Sequence, residues 1–431
     1  MKKKVFIGLT EISGYYRNLA NGLKQQGYEV TYITYNTHIF KYGGETTNGI
    51  IKLYKYCATK RLHTPKVRVI SKILWIISDV IMSVMLFIWA LFTHQIFIFG
   101  FATSFNAQGR DLFFLRLFQK IVISNIGHGS EARPTYLDGG YLNAAGEHPT
   151  ADEIYKIDSL KVKRLKRIEQ YSSHVIGAPF TAHFLKKPFV IANIIGLPMN
   201  SVIQKIRITD KQNPAVPIRI LHGPSNPQAK GTYEIRTVIQ KLKKEGYHIN
   251  YVELQNRPHH EVLNELEQCD FVIDQLYSDT PLAGLGTEAA FYGKPTIIGG
   301  YLWDDFKEIM PEQFIAPSVT CSPEDIYSKA KWLIENPDLR ISLGEKAKLF
   351  VQKNWRSDLV AQSYIRIIKN EWPLEWYADP YKVKNIFGAG LKKELVENIV
   401  RNIIEKYGIA GLHLSIKPKL EKMFEQFIKV N

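Results

Sequence analysis

Short apolar runs alternate with longer amphipathic stretches through the first half of this chain. Val5 to Gly8 is an apolar β-type run, positions 15–26 carry apolar residues at helical spacing, and Glu29 to Thr34 alternates again. The same patterns predict further strands at 95–100, 121–124 and 175–177, and helices at 111–119 and 154–171. Alternation of this kind is typical of a doubly wound parallel sheet.

The pattern starts again after a polar, proline-bearing stretch, 210–217, which predicts a linker. We therefore predict an α/β protein with two Rossmann-like, doubly wound domains facing a cleft, at 1–209 and 218–356. A closing helix at 357–373, able to cross back to the first domain, and a helical basic tail at 374–431 should follow. The tail is expected to cap the fold, with a membrane or partner contact as the alternative. In the second half the predicted strands are 218–221, 249–254, 271–274 and 296–298, and the predicted helices are 233–244, 260–268, 323–335, 337–352 and 357–371.

The segment 73–92 is almost entirely apolar, with Asp79 as its only charged residue and with Arg68 and Lys72 before it. A spanning helix needs about 20 apolar residues, so the length permits a membrane crossing. However, the strand at 95–100 follows directly, and a crossing would separate it from the first strand. A helix docked on the bilayer surface keeps both strands on one side and is the favoured interpretation. A buried core helix and a true span remain the alternatives.

Net charge and cysteine content narrow the range of candidate partners and of cellular compartments. Lys and Arg number 56 against 41 Asp and Glu, and the net charge of +15 suits an anionic partner. Nucleic acid is disfavoured, because the basic residues do not interleave with aromatic residues in a recognisable module. Three separated cysteines and the lack of a signal-peptide pattern fit a reducing cytoplasm. No paired ligand spacing predicts a metal site, and no cofactor is expected.

A candidate phosphate clamp follows the first strand of the second half. Lys230 and Gly231 precede the predicted helix, so an ammonium group and backbone N–H groups would face the same ligand. The preceding polar residues Ser225 and Asn226 belong to the same predicted loop. Such loops at strand ends bind nucleotides in open α/β sheets.

A second candidate loop follows the strand at 271–274. Asp274 and Gln275 end the strand, glycines clear space, and a helix then begins with Glu288 near its N-terminus. A carboxylate at this place can bind both hydroxyls of a ribose, while the alternative is a carboxylate that only stabilises the helix dipole. The donor-side candidates in this loop are Asp274, Gln275, Gly284, Gly286, Thr287 and Glu288.

The first half offers two polar loops at strand ends. Glu131 and Arg133 follow the strand at 121–124 and are suited to acceptor hydroxyls or a phosphate; alternatively these polar groups only satisfy one another. The first strand–helix turn holds Gly14, where the backbone can approach a ligand closely, and then Tyr15 and Arg17. We assign Gly14 to the donor and Tyr15, Arg17, Glu131 and Arg133 to the acceptor.

Together, Lys230-Gly231 and the segment Glu288-Ala-Ala-Phe-Tyr-Gly293-Lys294-Pro295 resemble retaining glycosyltransferases of the GT-B fold that use two glutamates seven residues apart (glycosyl transferases group 1). The run from Glu335 to Ala347 resembles the closing helices of that family. The resemblance covers about residues 215–370, and the first half only in layout. It implies that Lys230 contacts donor phosphates and that His128, matching a histidine of similar members, faces the transferred sugar.

This chain departs from the family pattern at the first glutamate, where Thr280 stands beside Asp279, and at the usual arginine, replaced by Ser225. A bacterial subset with a similar His-x-Pro-Ser-Asn and Asp-Gln-Leu pattern shares these departures. With His128, Lys230 and Glu288 as the catalytic set, the resemblance implies sugar transfer from a nucleotide-sugar with retention of configuration. The apolar segment 73–92 and the surplus of basic residues suggest a lipid-linked or cell-surface glycan as the acceptor.

We expect a peripheral protein on the inner face of the cell membrane, with an anionic bilayer as a partner. The alternatives are a GT-B-like sugar-nucleotide epimerase, which would need further carboxylates facing the sugar, and a catalytically decayed nucleotide-sugar-binding protein.

Overall fold

The computed structural model describes residues 3–34, 48–65, 67–200 and 216–429. Two parallel sheets, each with helices around it, form an N-terminal and a C-terminal lobe. The strands are β1 (Lys4–Ile7), β2 (Glu29–Tyr32), β3 (Ile96–Gly100), β4 (Ile121–Asn125), β5 (His174–Gly177), β6 (Phe189–Ile191), β7 (Ile218–His222), β8 (Ile249–Glu253), β9 (Phe271–Gln275), β10 (Thr296–Gly299), β11 (Val319–Cys321) and β12 (Tyr377–Ala378). The helices are α1 (Tyr15–Gln25), α2 (Gly49–His63), α3 (Val69–Thr93), α4 (Leu112–Leu117), α5 (Ala151–Tyr171), α6 (Ala192–Ile195), α7 (Pro227–Lys230), α8 (Thr232–Lys244), α9 (His259–Gln268), α10 (Gly284–Phe291), α11 (Trp303–Ile309), α12 (Ile326–Glu335), α13 (Pro337–Asn354), α14 (Ser357–Lys369), α15 (Lys393–Tyr407) and α16 (Pro418–Phe427).

The N-terminal lobe is built on a seven-stranded sheet of order β12-β6-β5-β4-β3-β1-β2. All neighbouring strands are parallel except the edge pair β12 and β6. The central strand β3 is buried along its whole length, as expected for a strand covered on both faces. Its carboxyl end and that of β1 lie at the point where the strand order reverses, the usual position of a ligand crevice.

The C-terminal lobe has a five-stranded parallel sheet of order β11-β10-β9-β7-β8. The order reverses between β7 and β9, so the loops after these two strands meet at the topological switch point. The predicted fold class, α/β with two doubly wound sheets, is confirmed. Of the predicted linker, residues 210–215 lie outside the described part of the chain.

The chain returns to the N-terminal lobe after α13. Helix α14 packs against α1, where a Cβ on Gly22 would lie 2.1 Å from the Ser357 carbonyl oxygen. The tail then adds β12 to the sheet and packs α15 against α5. The carbonyl of Leu412 accepts a hydrogen bond from the buried Tyr136 hydroxyl, so the tail is part of the N-terminal core.

Helix α3 is longer than the predicted 73–92 segment and is not a core helix. Within its most apolar window only 22% of the residues are buried, although it is long and apolar enough to cross a membrane. Helix α2, which the sequence analysis did not predict, packs along it. Asn48 caps α2 by accepting hydrogen bonds from the N–H groups of Ile50 and Ile51.

Candidate active site

A cavity of about 210 Å³ lies between the carboxyl ends of the two sheets. The N-terminal lobe contributes the loops after β1, β4, β5 and β6, and the C-terminal lobe contributes the segment 279–284 after β9. Strand ends and helix starts from both lobes therefore face one small space. The lining includes Ser13, Tyr15, His128, Arg133, Asn193, Asp279, Thr280 and Gly284.

Lys230 is held at the switch point of the C-terminal lobe. Its Nζ lies 3.0 Å from Oδ1 of Asp274, which is fully buried at the end of β9. The second oxygen of Asp274 has no hydrogen-bond partner among the described residues. An ammonium has three N–H donors, and the bond to Asp274 occupies one of them. The lysine is thus fixed in direction and can still donate to an anionic ligand.

The turn that carries Lys230 is specified by its neighbours. His222 is buried and donates from Nδ1 to the Ile273 carbonyl at 2.7 Å, so its Nε2 accepts from the Thr232 hydroxyl at 2.9 Å. Gly231 has a left-handed φ of 69°, and a Cβ there would lie 2.8 Å from the Leu276 side chain. Asn226 caps the short helix α7 through its side-chain oxygen, while Ser225 is exposed.

Helix α10 begins opposite the clamp and holds Glu288 in its second turn. Oε1 of Glu288 lies 2.7 Å from Nε2 of His259 at the start of α9. The hydrogen bond to Glu288 raises the pKa of His259. Thr287 donates back to the Ala283 carbonyl, and a Cβ on Gly284 would meet nothing within 4 Å. The start of this helix is therefore open to the cleft. The candidate Gly286 packs beside Leu282 and Asp274.

Gln275 and Ser278 organise the turn between β9 and α10. The Gln275 amide donates to the Ser278 hydroxyl at 2.6 Å, and that hydroxyl donates to the Thr280 carbonyl at 2.8 Å. The Thr280 N–H also points to Ser278. This network directs Asp279 and Thr280 into the cavity.

Two polar contacts join the lobes across the cavity. Arg133 from the N-terminal lobe makes an ion pair with Asp279 at 2.5 Å, and Asn193 donates to the Thr280 hydroxyl at 3.0 Å. Burial would lower the pKa of Arg133, but Asp279 and Asp138 together raise it. The carboxylate of Asp279, next to Thr280, is thus paired across the cleft.

His128 lies in a polar cluster after β4 and lines the cavity. Its Nε2 is 2.7 Å from the Tyr16 hydroxyl, and its backbone N–H donates to Glu131 at 2.9 Å. Burial lowers the pKa of His128 to about 4, so its imidazole is neutral at neutral pH. Burial also raises the pKa of Glu131 to about 7, and the second oxygen of this carboxylate has no partner among the described residues.

The candidate residues of the first strand–helix turn, Gly14, Tyr15 and Arg17, have different surroundings. Gly14 adopts a left-handed φ of 82° before α1. Tyr15 lines the cavity with its ring, but its hydroxyl is turned to Tyr364 at 3.1 Å. The backbone N–H of Arg17 donates to Glu11. The charge of the Arg17 side chain is close enough to His259 in the other lobe to act on the pKa of that histidine.

Sequence reasoning did not assign His259, Asn193 or Asp279 a role in the site. His259 begins the helix after β8, at the same sheet edge as Lys230, so the strand-end rule applied to every strand would have found it. Asn193 meets Thr280, and Asp279 meets Arg133, only through the packing of the two lobes, which one sequence does not reveal. Within the described ranges, no group of three or more His, Cys, Asp or Glu side chains is placed to hold a metal ion.

No protein-family model matches the chain, and no curated protein matches it. Among solved structures, sucrose-phosphate synthase from Thermosynechococcus elongatus is 12% identical, with 86% of this chain and 99% of that chain covered and a TM-score of 0.48. Anabaena HepE in complex with UDP and glucose is 9% identical over 86% and 100%, with a TM-score of 0.45. A Listeria monocytogenes protein assigned as a UDP-N-acetylglucosamine 2-epimerase is 12% identical over 86% and 96%, with a TM-score of 0.46. Similarity at this level does not distinguish these activities.

Proposed function

We propose that this protein is a glycosyltransferase that moves a sugar from a nucleotide-sugar to a lipid-linked or cell-surface glycan acceptor. The observation that carries the proposal is an oriented lysine at the switch point of the C-terminal lobe, together with a cavity into which both lobes place polar side chains. Lys230 and the open start of α10 supply positive charge on one side. His128 and the Arg133–Asp279 pair lie on the other side.

The donor diphosphate would lie between Lys230 and the start of α10. Cleavage of the sugar–phosphate bond leaves negative charge on the diphosphate, which is where charge stabilisation contributes most. Lys230 would donate to a phosphate oxygen while Asp274 keeps the ammonium in place. Glu288, oriented by His259, would accept hydrogen bonds from the ribose hydroxyls.

The transferred sugar would occupy the central cavity. Neutral His128 can exchange a hydrogen bond with a sugar hydroxyl without adding a charge next to the developing oxocarbenium ion. Thr280 and Asp279 face the same space, and Asn193 positions Thr280. Closed contact between the lobes would exclude water, which would otherwise hydrolyse the donor. Retention of configuration is what the sequence resemblance implies.

The single ion-paired carboxylate of the cavity lining favours transfer over epimerisation. An epimerase needs carboxylates that exchange protons with the sugar, and Asp279 is the only Asp or Glu among the described lining residues. That carboxylate is paired with Arg133. The intact clamp, Lys230 on Asp274 and Glu288 on His259, argues against a decayed site.

The proposal is tested by donor turnover with a panel of nucleotide-sugars, with Lys230→Met and Glu288→Gln as the main variants. Loss of one preorganised charge contact should lower kcat about 100-fold for Lys230→Met. Glu288→Gln should weaken nucleotide-sugar binding about tenfold, since ribose contacts are made in the ground state. The matched control is Lys243→Met, an exposed lysine on α8.

Calorimetric measurement of nucleoside diphosphate binding separates the role of Lys230 in turnover from the role of Glu288 in donor binding. If Lys230→Met and Glu288→Gln leave both nucleotide binding and turnover at the level of Lys243→Met, the assignment of the clamp is wrong. The configuration of the product at its anomeric carbon, read by NMR at early times, tests retention. An inverted product would remove that part of the proposal alone.

A further inference from the structure

One whole face of α3 is apolar and exposed. Along the helix the exposed side chains recur at helical spacing, and none of them is charged from Ile73 onward. Asp79, the only acidic residue of the helix, is turned inward and is 4% exposed. The exposed members are Val69, Ile70, Ile73, Leu74, Ile76, Ile77, Val80, Ile81, Val84, Met85, Ile88 and Phe92. A surface of this extent on a soluble protein marks an interaction site.

Helix α4 extends the same surface. The Phe92 ring lies 6.0 Å from the Phe118 ring, and Phe87 lies 6.4 Å from Phe114. Leu117, on the same helix, is 62% exposed. Two helices that are separate in sequence thus present one continuous apolar face, which we call the α3–α4 face.

Basic residues surround this face. Lys60 and Arg68 lie exposed near the α2–α3 turn at one end, and Arg110 and Arg116 lie exposed near α4 at the other. An apolar strip with cations at its borders matches the interface of an anionic bilayer, where acyl chains lie beneath acidic headgroups. A protein partner would have to supply an equally long apolar surface with acidic borders.

The packing of α3 distinguishes a helix that lies on a bilayer from a helix that crosses it. Met82, Leu86 and Ala90 pack into the core of the N-terminal lobe, so lipid cannot surround the helix. Helix α2 packs along α3 and carries Lys52, Lys60 and Arg61, the last of which pairs with Asp79 at 2.9 Å. A crossing would take these charges into hydrocarbon, whereas a helix in the plane keeps them on the aqueous side.

We propose that the α3–α4 face docks in the plane of an anionic bilayer, without crossing it. A groove of about 480 Å³ runs beside α3, lined by Val84, Phe87 and Phe105. Thr103 at its edge shares a hydrogen bond of 2.8 Å with Thr10, two residues before Ile12 of the central cavity. Docking in the plane therefore brings the bilayer to the edge of the cleft. If the proposed function holds, this is the route by which a lipid-linked acceptor reaches the cavity.

Flotation of the full chain with vesicles tests the docking, and it needs neither donor nor acceptor. With phosphatidylglycerol–phosphatidylcholine vesicles, Val84→Glu and Leu117→Glu should each reduce partitioning roughly tenfold or more, because an apolar contact is replaced by a charge. The matched controls are Val216→Glu and Leu374→Glu, two exposed apolar residues away from the face (55% and 87% exposed). They should float like the parent protein. Vesicles of phosphatidylcholine alone should bind less.

Depth measurements distinguish docking in the plane from crossing. Single cysteines at positions 70, 77, 84 and 92 can be labelled with a fluorophore, since Cys57, Cys269 and Cys321 are buried. Quenching by lipids brominated at different depths should report one shallow depth for all four positions. A depth that changes steadily from position 70 to 92 would overturn the in-plane arrangement.

Two further outcomes would overturn the docking itself. One is equal flotation of Val84→Glu and Val216→Glu. The other is a parent protein that does not float but sediments as a dimer, which Val84→Glu converts to a monomer; the face would then be covered by a second copy of the chain. Because flotation is independent of turnover, failure here leaves the proposed transferase activity to its own test.

Discussion

Glu131 is a buried carboxyl group that makes the stability of this protein depend on pH. It is 2% exposed, and burial raises its pKa to about 7. Between about pH 4.5 and 7 the unfolded chain releases a proton that the folded chain retains. Stability therefore falls as pH rises through this window and is level above it. The neighbouring His128, with a lowered pKa, contributes the opposite slope below about pH 6.5.

We predict that Glu131→Gln removes the Glu131 contribution while keeping the hydrogen bond from the His128 N–H. The variant should match the parent near pH 4.5 and exceed it by up to about 3 kcal/mol at pH 8, from the size of the pKa change. Urea unfolding at pH 5, 6 and 8 measures the difference, in which the histidine contribution cancels. An advantage that is the same at every pH would contradict the assignment.

Gly231 is required at the clamp for two separate reasons, its left-handed φ and its contact with Leu276. Gly246 has a left-handed φ of 96°, but a Cβ placed there would meet nothing within 4 Å, so it isolates the first reason. We predict that Gly246→Ala costs about 1–2 kcal/mol of stability. Gly231→Ala should cost more and should also weaken nucleotide binding about tenfold, because the turn that carries Lys230 must shift. Denaturation and calorimetry measure the two effects, and equal losses in both variants would argue against the Leu276 contact.

Part of the candidate site was predictable residue by residue, because the rule that ligands bind at strand ends depends only on local sequence. Lys230, Asp274 and Glu288 follow strand ends that the apolar pattern reveals, and each lies at the switch-point edge of its sheet. The partners of these residues were harder to predict from the sequence. His259 reaches Glu288 from the start of the helix after β8, a strand that β7 separates from β9 in the sheet. Asn226 caps α7, a role that spacing alone does not separate from ligand binding.

At the scale of elements, the periodic strands and helices were predictable and the shortest strands were not. Strand β6 has three residues and β12 has two, too few for any alternation to be visible. Helix α2 mixes lysines with apolar residues and is stabilised by packing on α3, which lies later in the chain. The exposure of α3 is likewise a tertiary property, since composition alone permits burial, docking or crossing. The proposed docking of α3 in the bilayer plane has an energetic basis, because each charge of α2 at a bilayer centre would cost about 2.5–3.5 kcal/mol.

The contact between α1 and α14 fixes how the chain returns to the N-terminal lobe. Gly22 allows it, since a Cβ there would meet the Ser357 carbonyl at 2.1 Å and Ala361 at 2.9 Å. We predict that Gly22→Ala destabilises the protein by about 1–3 kcal/mol through overpacking. The control is Gly49→Ala in α2, where a Cβ meets nothing within 4 Å and should be neutral or slightly stabilising. Guanidinium unfolding of both variants measures the difference; a loss of similar size at Gly49 would show that the contacts with Ser357 and Ala361 are not the cause.

At the scale of the whole molecule, the contacts that join the lobes include two polar side-chain pairs across the cavity and the C-terminal tail. Arg133–Asp279 and Asn193–Thr280 cross the cavity. In the tail, the Gly390 N–H donates to Tyr277 of the C-terminal lobe at 2.7 Å, while Ala389 exchanges hydrogen bonds with Leu137 and Gly139 of the N-terminal lobe. The tail is thus a strap between the lobes as well as a cap on one of them.

Loss of one contact between the lobes should affect catalysis differently from loss of another, because some of these contacts line the cavity and others do not. Asp279→Asn removes a carboxylate that is paired in a desolvated cleft and faces the space proposed for the sugar. We predict a fall in kcat of about tenfold or more, with the nucleotide dissociation constant within about twofold, because the clamp at Lys230 is untouched. Lys392→Ala also breaks an ion pair between the lobes, to Glu234, but the lysine there is half exposed and such pairs contribute about 0–1 kcal/mol. It should leave both constants near the parent values. If Asp279→Asn changes nucleotide affinity and kcat no more than Lys392→Ala does, Asp279 only joins the lobes. If instead kcat alone falls, the carboxylate of Asp279 acts on the sugar in the proposed reaction.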